Sequence, residues 1–156
     1  FELPVAPPRA AKVVGREVDA QLLRSGLDYW RDVSEIVLVE GAGGLMSPLS
    51  SEDYNIDLAR DLGFPLVIVS ANELGTINAT LQTVITAQSK APQLPIAGIV
   101  LNQPTNKSDD SLATNAEDIA NRCEVPLLAK VDFGSERFST QIDWMELARA
   151  GTSTDN

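Results

Sequence analysis

Histidine is absent from the 156 residues, and cysteine occurs once, as Cys123. Without an imidazole, histidine general acid–base catalysis, Ser-His-Asp and Cys-His nucleophiles and Cys/His zinc sites are excluded together. A single thiol cannot close an intramolecular disulfide and suits a reducing compartment, so the cytoplasm is the expected location. Positive charge is also scarce. Twelve Lys and Arg stand against 22 Asp and Glu, and the net charge of −10 repels polyanions, making nucleic acid and anionic membrane poor partners. No apolar run approaches the roughly 18 residues a membrane span needs. Aromatics make up only 5%, and Trp30 and Trp144 read as core or interface aromatics rather than stacking platforms. The chain also lacks an initiator Met, opening Phe1-Glu2-Leu3-Pro4, which reads as a cut from something longer.

What is present is an ordinary globular composition, 44% hydrophobic and 22% charged, long enough for one domain of roughly 100 to 200 residues. Val18, Leu22, Leu23, Leu27 and Trp30 recur at helical spacing, so one amphipathic helix is expected over Glu17–Trp30, after a Pro-rich stretch, Pro4 to Pro8, that cannot be helical throughout. The β-branched run Ile36-Val37-Leu38-Val39 suits a buried strand ending in a glycine loop. Three further units repeat the rhythm. A helix over Ile56–Leu62, stopped by Gly63, precedes the strand Leu66–Val69; a helix over Thr76–Ser89 precedes Ile96–Leu101; a helix over Leu112–Arg122 precedes Leu127–Val131. Apolar strands alternating with helices predict an α/β domain over residues 1–150, a doubly wound parallel sheet covered on both faces. A last helix is expected over Gln141–Ala148, and Gly151–Asn156 reads as a polar tail.

In an open parallel sheet, ligands sit beyond the carboxyl ends of the strands. The first expected strand ends in Glu40-Gly41-Ala42-Gly43-Gly44. An acidic residue before a loop nearly free of side chains lets backbone N–H groups approach an anion while the carboxylate offers oxygen to Mg²⁺; the alternative is a glycine turn with a solvated Glu. After the second strand, Gly75-Thr76-Ile77-Asn78 opens a helix. Its unpaired N–H groups and positive dipole end suit a carboxylate or phosphate, and capping by Thr76 or Asn78 is the plainer reading. Asn102, after the third strand, offers an amide that donates and accepts, as reading a base edge requires, or is simply a loop residue before Pro104. Cys123 reads as packing, and Glu52-Asp53 and Asp109-Asp110 as solvated loop charges.

Jointly, Val37-Leu38-Val39-Glu40-Gly41-Ala42-Gly43-Gly44 with Pro48-Leu49, then Gly75-Thr76-Ile77-Asn78, then Gly98-Ile99-Val100-Leu101-Asn102, resembles the dethiobiotin synthetase family. The similarity runs from about Pro4 to Val131. It implies a P-loop NTPase-like fold and an ATP- and Mg²⁺-dependent ligase that closes a cyclic urea on 7,8-diaminopelargonate with CO₂. By position, the resemblance makes Glu40 the catalytic carboxylate and Mg²⁺ ligand, and Gly41, Ala42, Gly43 and Gly44 the loop against the phosphates and reacting nitrogens. It makes Gly75, Thr76, Ile77 and Asn78 the mouth for the substrate's distal carboxylate, reaching into a neighbouring subunit of a homodimer, and Asn102 the residue at the adenine edge.

Three departures stand beside it. Where the family's Val-Ala-Pro segment commonly continues with His, Pro8 follows Pro7. After the last strand the chain reads Val131-Asp132-Phe133 rather than carrying the family's Pro, which puts the nucleotide lid in question. The family's G-x-x-x-x-G-K-[ST] loop is missing: none of Lys12, Lys90, Lys107 and Lys130 follows a Gly. The expectation is that the amino-terminal portion lies outside this chain; the alternative is a homologue without ATP chemistry, a binding or assembly domain.

Overall fold

The structure, a computed structural model, describes residues 1–150. The expected polar tail, Gly151–Asn156, lies outside the described residues. The chain divides into two compact units, Phe1–Gly63 and the part from Phe64 onward.

The first unit is helical. Helix α1 (Pro7–Val13) begins on the two prolines, which lack the N–H that a first turn leaves unpaired anyway. Helices α2 (Ala20–Ser25) and α3 (Asp28–Val33) stand where one helix was expected over Glu17–Trp30. The break falls at Gly26, where the chain ends α2 with only a weak helix former to carry the turn onward. Asp19 caps α2 by accepting the Leu22 N–H at 2.9 Å. Helix α4 (Asn55–Leu62) matches expectation and ends at Gly63. Arg24 of α2 reaches α4 through two hydrogen bonds to Asp61 Oδ2, 2.6 and 2.9 Å, and a longer ion pair of 3.4 Å to Asp53. These partners, Asp61 first, hold the Arg24 guanidinium above its ordinary pKa against some desolvation.

The expected strand Ile36–Val39 is not a strand. The segment is extended, but it joins no ladder among the described residues, and Leu38 is 90% exposed. Apolar, β-branched composition favours extension, yet a strand exists only where another backbone takes its hydrogen bonds, and none of the described residues does so.

The second unit carries the sheet. Strands β1 (Leu66–Ala71), β2 (Ile96–Asn102) and β3 (Leu127–Val131) lie side by side in that order, all parallel, and helix α5 (Thr76–Lys90) connects β1 to β2. Between β2 and β3 a 3₁₀ turn, Asp110–Ala113, leads into α6 (Asn115–Ala120), replacing the continuous helix expected over Leu112–Arg122. Asp109 caps the 3₁₀ turn through the Ser111 N–H and so starts a separate element. Helix α7 (Trp144–Ala150) starts three residues later than expected.

Ile68 of β1, Ile99 and Leu101 of β2, Val84 of α5 and Ile119 of α6 form one buried cluster, with Cys123 packed against it. Ile99 and Leu101 share a face through the two-residue strand period. The α/β class with a parallel sheet and flanking helices is therefore observed. Val69, on the opposite face of β1 from Ile68, is 67% exposed.

Candidate functional site

Glu40 and the glycine loop belong to the first unit. Glu40 follows the extended segment and is exposed, as are Gly41 to Gly44. The loop is laced onto the start of α4. Asn55 donates its side-chain amide to the carbonyls of Ala42 (2.9 Å) and Gly44 (3.0 Å), the Asn55 N–H goes to Ser47 O, and the Ile56 N–H goes to Leu45 O. Gly43 has φ +86°, and the Ser47 hydroxyl lies 2.5 Å from where a Cβ would stand, so only glycine fits. Among the described residues, the N–H groups of Gly41 to Gly44 meet no acceptor. Exposed donors, with the Ala42 and Gly44 carbonyls tied elsewhere, are what an anion needs.

Gly75, Thr76, Ile77, Asn78 and Asn102 belong to the second unit, at the carboxyl ends of β1 and β2. Gly75, at φ +97°, is the N-cap of α5, and no side chain caps the helix. Neither Thr76 nor Asn78 takes the capping role that the plainer reading assigned. Thr76 is buried with its hydroxyl 3.5 Å from that of Thr80, which donates to Ser70 Oγ at 2.9 Å; Leu74, Gly75 and Asn78 are exposed. The N–H groups of Ile77 and Asn78 have no backbone acceptor among the described residues, leaving the end of a 15-residue helix open to an anion.

Asn102 ends β2, half-buried, and its carbonyl accepts the Asn72 N–H at 2.7 Å. Asn72 links it to the mouth of α5. Its side-chain oxygen accepts from the buried Asn115 at 2.9 Å, and Asn115 also donates to Ser111 Oγ (3.1 Å) and Glu73 O (3.4 Å). Asp109 closes the same turn by accepting from Leu74 N (2.6 Å) and Ser111 N (2.8 Å). The Ser111 backbone and hydroxyl, then the Leu74 N–H, lower the pKa of this carboxyl. A pocket of about 180 Å³ opens here, lined among others by Asn72, Glu73, Gln103, Lys107 and Asp109. A larger cleft of about 330 Å³, lined by Gln88, Leu94, Ile96 and Val125, lies at the amino ends of β2 and β3, away from where parallel sheets bind ligands.

Sequence reasoning did not single out Asn55, Asn72 or Asn115, and it set Asp53 and Asp109 aside as solvated. Each is held by partners distant in sequence, which periodicity does not carry. Local signals were Asp109 two residues before Ser111, the spacing of an Asx turn, and Ser50 three residues before Asp53.

No group of three or more His, Cys, Asp or Glu side chains able to hold a metal occurs among the described residues. Mg²⁺ does not need one: it keeps several waters and is bound through one or two carboxylates plus substrate phosphates, so an exposed Glu40 beside unpaired N–H donors fits as a single protein ligand.

Comparison with known proteins follows the same lines. The family model of an AAA domain matches residues 1–136, and the chain belongs to that family, an α/β class consistent with the parallel sheet. Within it, the resemblance to dethiobiotin synthetases is borne out. The ATP-dependent dethiobiotin synthetase BioD of Rhodopirellula baltica is 37% identical over 141 residues, covering 84% of this chain and 54% of the relative. Its namesake in Bacillus subtilis is 40% identical over 129 residues, 82% and 54%, and that of Anaeromyxobacter dehalogenans 41% over 120 residues, 77% and 53%. The chain spans about half the length of these curated relatives.

Proposed function

We propose that this chain serves, within a protein that also supplies a G-x-x-x-x-G-K-[ST] loop, the ATP- and Mg²⁺-dependent closure of the ureido ring of dethiobiotin from 7,8-diaminopelargonate and CO₂. The observation that carries the reading is the glycine loop after Glu40, whose Ala42 and Gly44 carbonyls are tied down while its N–H groups are left as donors. One substrate amine, as a carbamate, takes the γ-phosphoryl group to become a mixed anhydride, and the second amine attacks with release of phosphate. Such a transfer rests on positioning and charge neutralisation rather than on covalent work by the protein. The donors at Gly41 to Gly44 hold phosphoryl oxygens, the open start of α5 at Gly75 to Asn78 holds the distal carboxylate, and Asn102 meets the adenine edge. Glu40 is the protein ligand to Mg²⁺, which when bound screens the developing phosphate charge. A cytoplasmic homodimer, in which α5 serves the partner's site, belongs to the same reading.

The test is turnover by purified protein carrying this chain with that loop. Dethiobiotin, identified by mass, should appear from ATP, Mg²⁺, CO₂ and the diamine, and Glu40→Gln should lower kcat strongly with little change in thermal stability. Absence of product in such a protein, or a Glu40→Gln variant that melts earlier and keeps its rate, overturns the assignment. The 156 residues by themselves should show no measurable turnover, since losing even one preorganised phosphate donor costs on the order of 10²-fold or more. Because no such loop occurs within them, a second reading is a non-catalytic binding or assembly domain; it predicts ligand binding without product under every condition.

A further inference from the structure

The geometry points to Asn55 as the positioning residue of the glycine loop, aiming the N–H groups of Gly43 and Leu45 at a bound phosphoryl oxygen. The inference rests on the proposed phosphate-binding role of that loop. Asn55 is the first residue of α4 and only 7% exposed. Its two amide hydrogens are both spent on the loop, one on Ala42 O at 2.9 Å and one on Gly44 O at 3.0 Å.

The consequence follows from the planar peptide. Every peptide bond in the described chain is trans, and in a trans peptide the carbonyl of one residue and the N–H of the next point in opposite directions. Drawing the Ala42 and Gly44 carbonyls toward Asn55 therefore turns the Gly43 and Leu45 N–H groups away from it. Neither of those N–H groups has an acceptor among the described residues. Two donors two residues apart, turned to the same side, form a concave anion seat. The surrounding bonds fix its floor: Ser47 N–H to Gly44 O at 2.9 Å, and Ile56 N–H to Leu45 O at 2.9 Å. Gly41 lies against the same side chain, a Cβ there falling 3.5 Å from Asn55 Cγ and Nδ2. No other side chain of the described residues donates to the loop carbonyls of residues 41–44.

Inorganic phosphate is the probe, titrated into the 156-residue chain while the amide resonances of Gly43 and Leu45 are followed by NMR. In the unaltered chain both should shift with phosphate and Leu38 should not. Asn55→Leu, close in volume but without donors, and Asn55→Asp, which sets a carboxylate against two carbonyl oxygens, should each weaken the response roughly tenfold or more. Asn55→Ser, short but still a donor at the helix start, provides the comparison should Asn55→Leu unfold, and it should fall between the two. In the ligase, Asn55→Leu should raise KM for ATP while leaving KM for the diamine near its original value. If the unaltered chain's Gly43 and Leu45 amides ignore phosphate, this inference falls, while the proposed function is decided separately by turnover of the protein that carries the G-x-x-x-x-G-K-[ST] loop. If they respond and folded Asn55→Leu responds equally, the loop's role stands and the positioning role of Asn55 is overturned.

Discussion

Ile36-Val37-Leu38-Val39 and Leu66-Val67-Ile68-Val69 are nearly interchangeable as sequence, four aliphatic residues with three β-branched in each. One became β1 and the other did not. Leu66–Val69 lies in register with β2, with Val67 opposite Gly98 and Ile68 opposite Ile99, and Ile68 enters the core cluster. The earlier run stays extended without a ladder and exposes Leu38. Composition thus selects an extended backbone in both places, and only a partner's N–H and C=O groups convert it into a strand. The two units differ in the same sense. The second is built on a sheet and an aliphatic cluster, the first on short helices and polar lacing through Arg24 and Asn55.

The largest effect that would break this contrast is a matched pair of truncations. Leu101→Ala removes a fully buried side chain of β2 and should cost about 2–5 kcal/mol in urea unfolding, whereas Leu38→Ala should stay within about 0.5 kcal/mol. Equal losses would mean that the extended run is packed after all. Next comes the polar hub of the second unit. Asn115→Leu leaves Asn72 Oδ1 without its donor and should cost about 1–3 kcal/mol, with faster amide exchange at Asn72 and Glu73 than at Ile99; a neutral result would show that the sheet alone holds that turn. In the first unit, Arg24→Met should cost no more than about 1 kcal/mol, because the ion pairs to Asp61 and Asp53 are a quarter to a third exposed. A larger loss by calorimetry would make that unit's lacing more than a surface feature.

The smallest effect is a pH dependence. The folded pKa of Asp109 is lowered, first by the Ser111 backbone, so its contribution is present above the ordinary carboxylate value and is lost as pH falls through the lowered one. Acidification through that window should loosen the Leu74 amide, and Asp109→Asn should remove the pH dependence. A Leu74 amide equally protected across it would show that Asp109 does not hold this turn.

Much of the element pattern was legible in sequence because its signals are local. Gly63 after an amphipathic stretch marked the end of α4, Gly75 before Thr76 marked the start of α5, and three aliphatic runs marked β1, β2 and β3. Helix division was less legible. Val18 to Trp30 keeps a helical period across Gly26, and nothing in that period tells that α2 and α3 are separate. At the candidate site, residues in the loops after strands could be picked out by position and glycine content. Their supports could not, because Asn55 acts on carbonyls 11 and 13 residues away and Asn115 on a side chain 43 residues away.

The extended run has a colloidal consequence. A bare aliphatic segment with open backbone groups is a template for its own copies, and identical chains can satisfy each other's hydrogen bonds by stacking. Long-range repulsion opposes this, since every copy carries a net charge of −10. That barrier is thinned by salt, which shortens the screening length to about 3 Å at 1 M, and it vanishes near the sequence pI of about 4.3. Ionic strength and acidity therefore set the concentration at which this chain begins to meet itself, through a segment that takes no part in its own sheet.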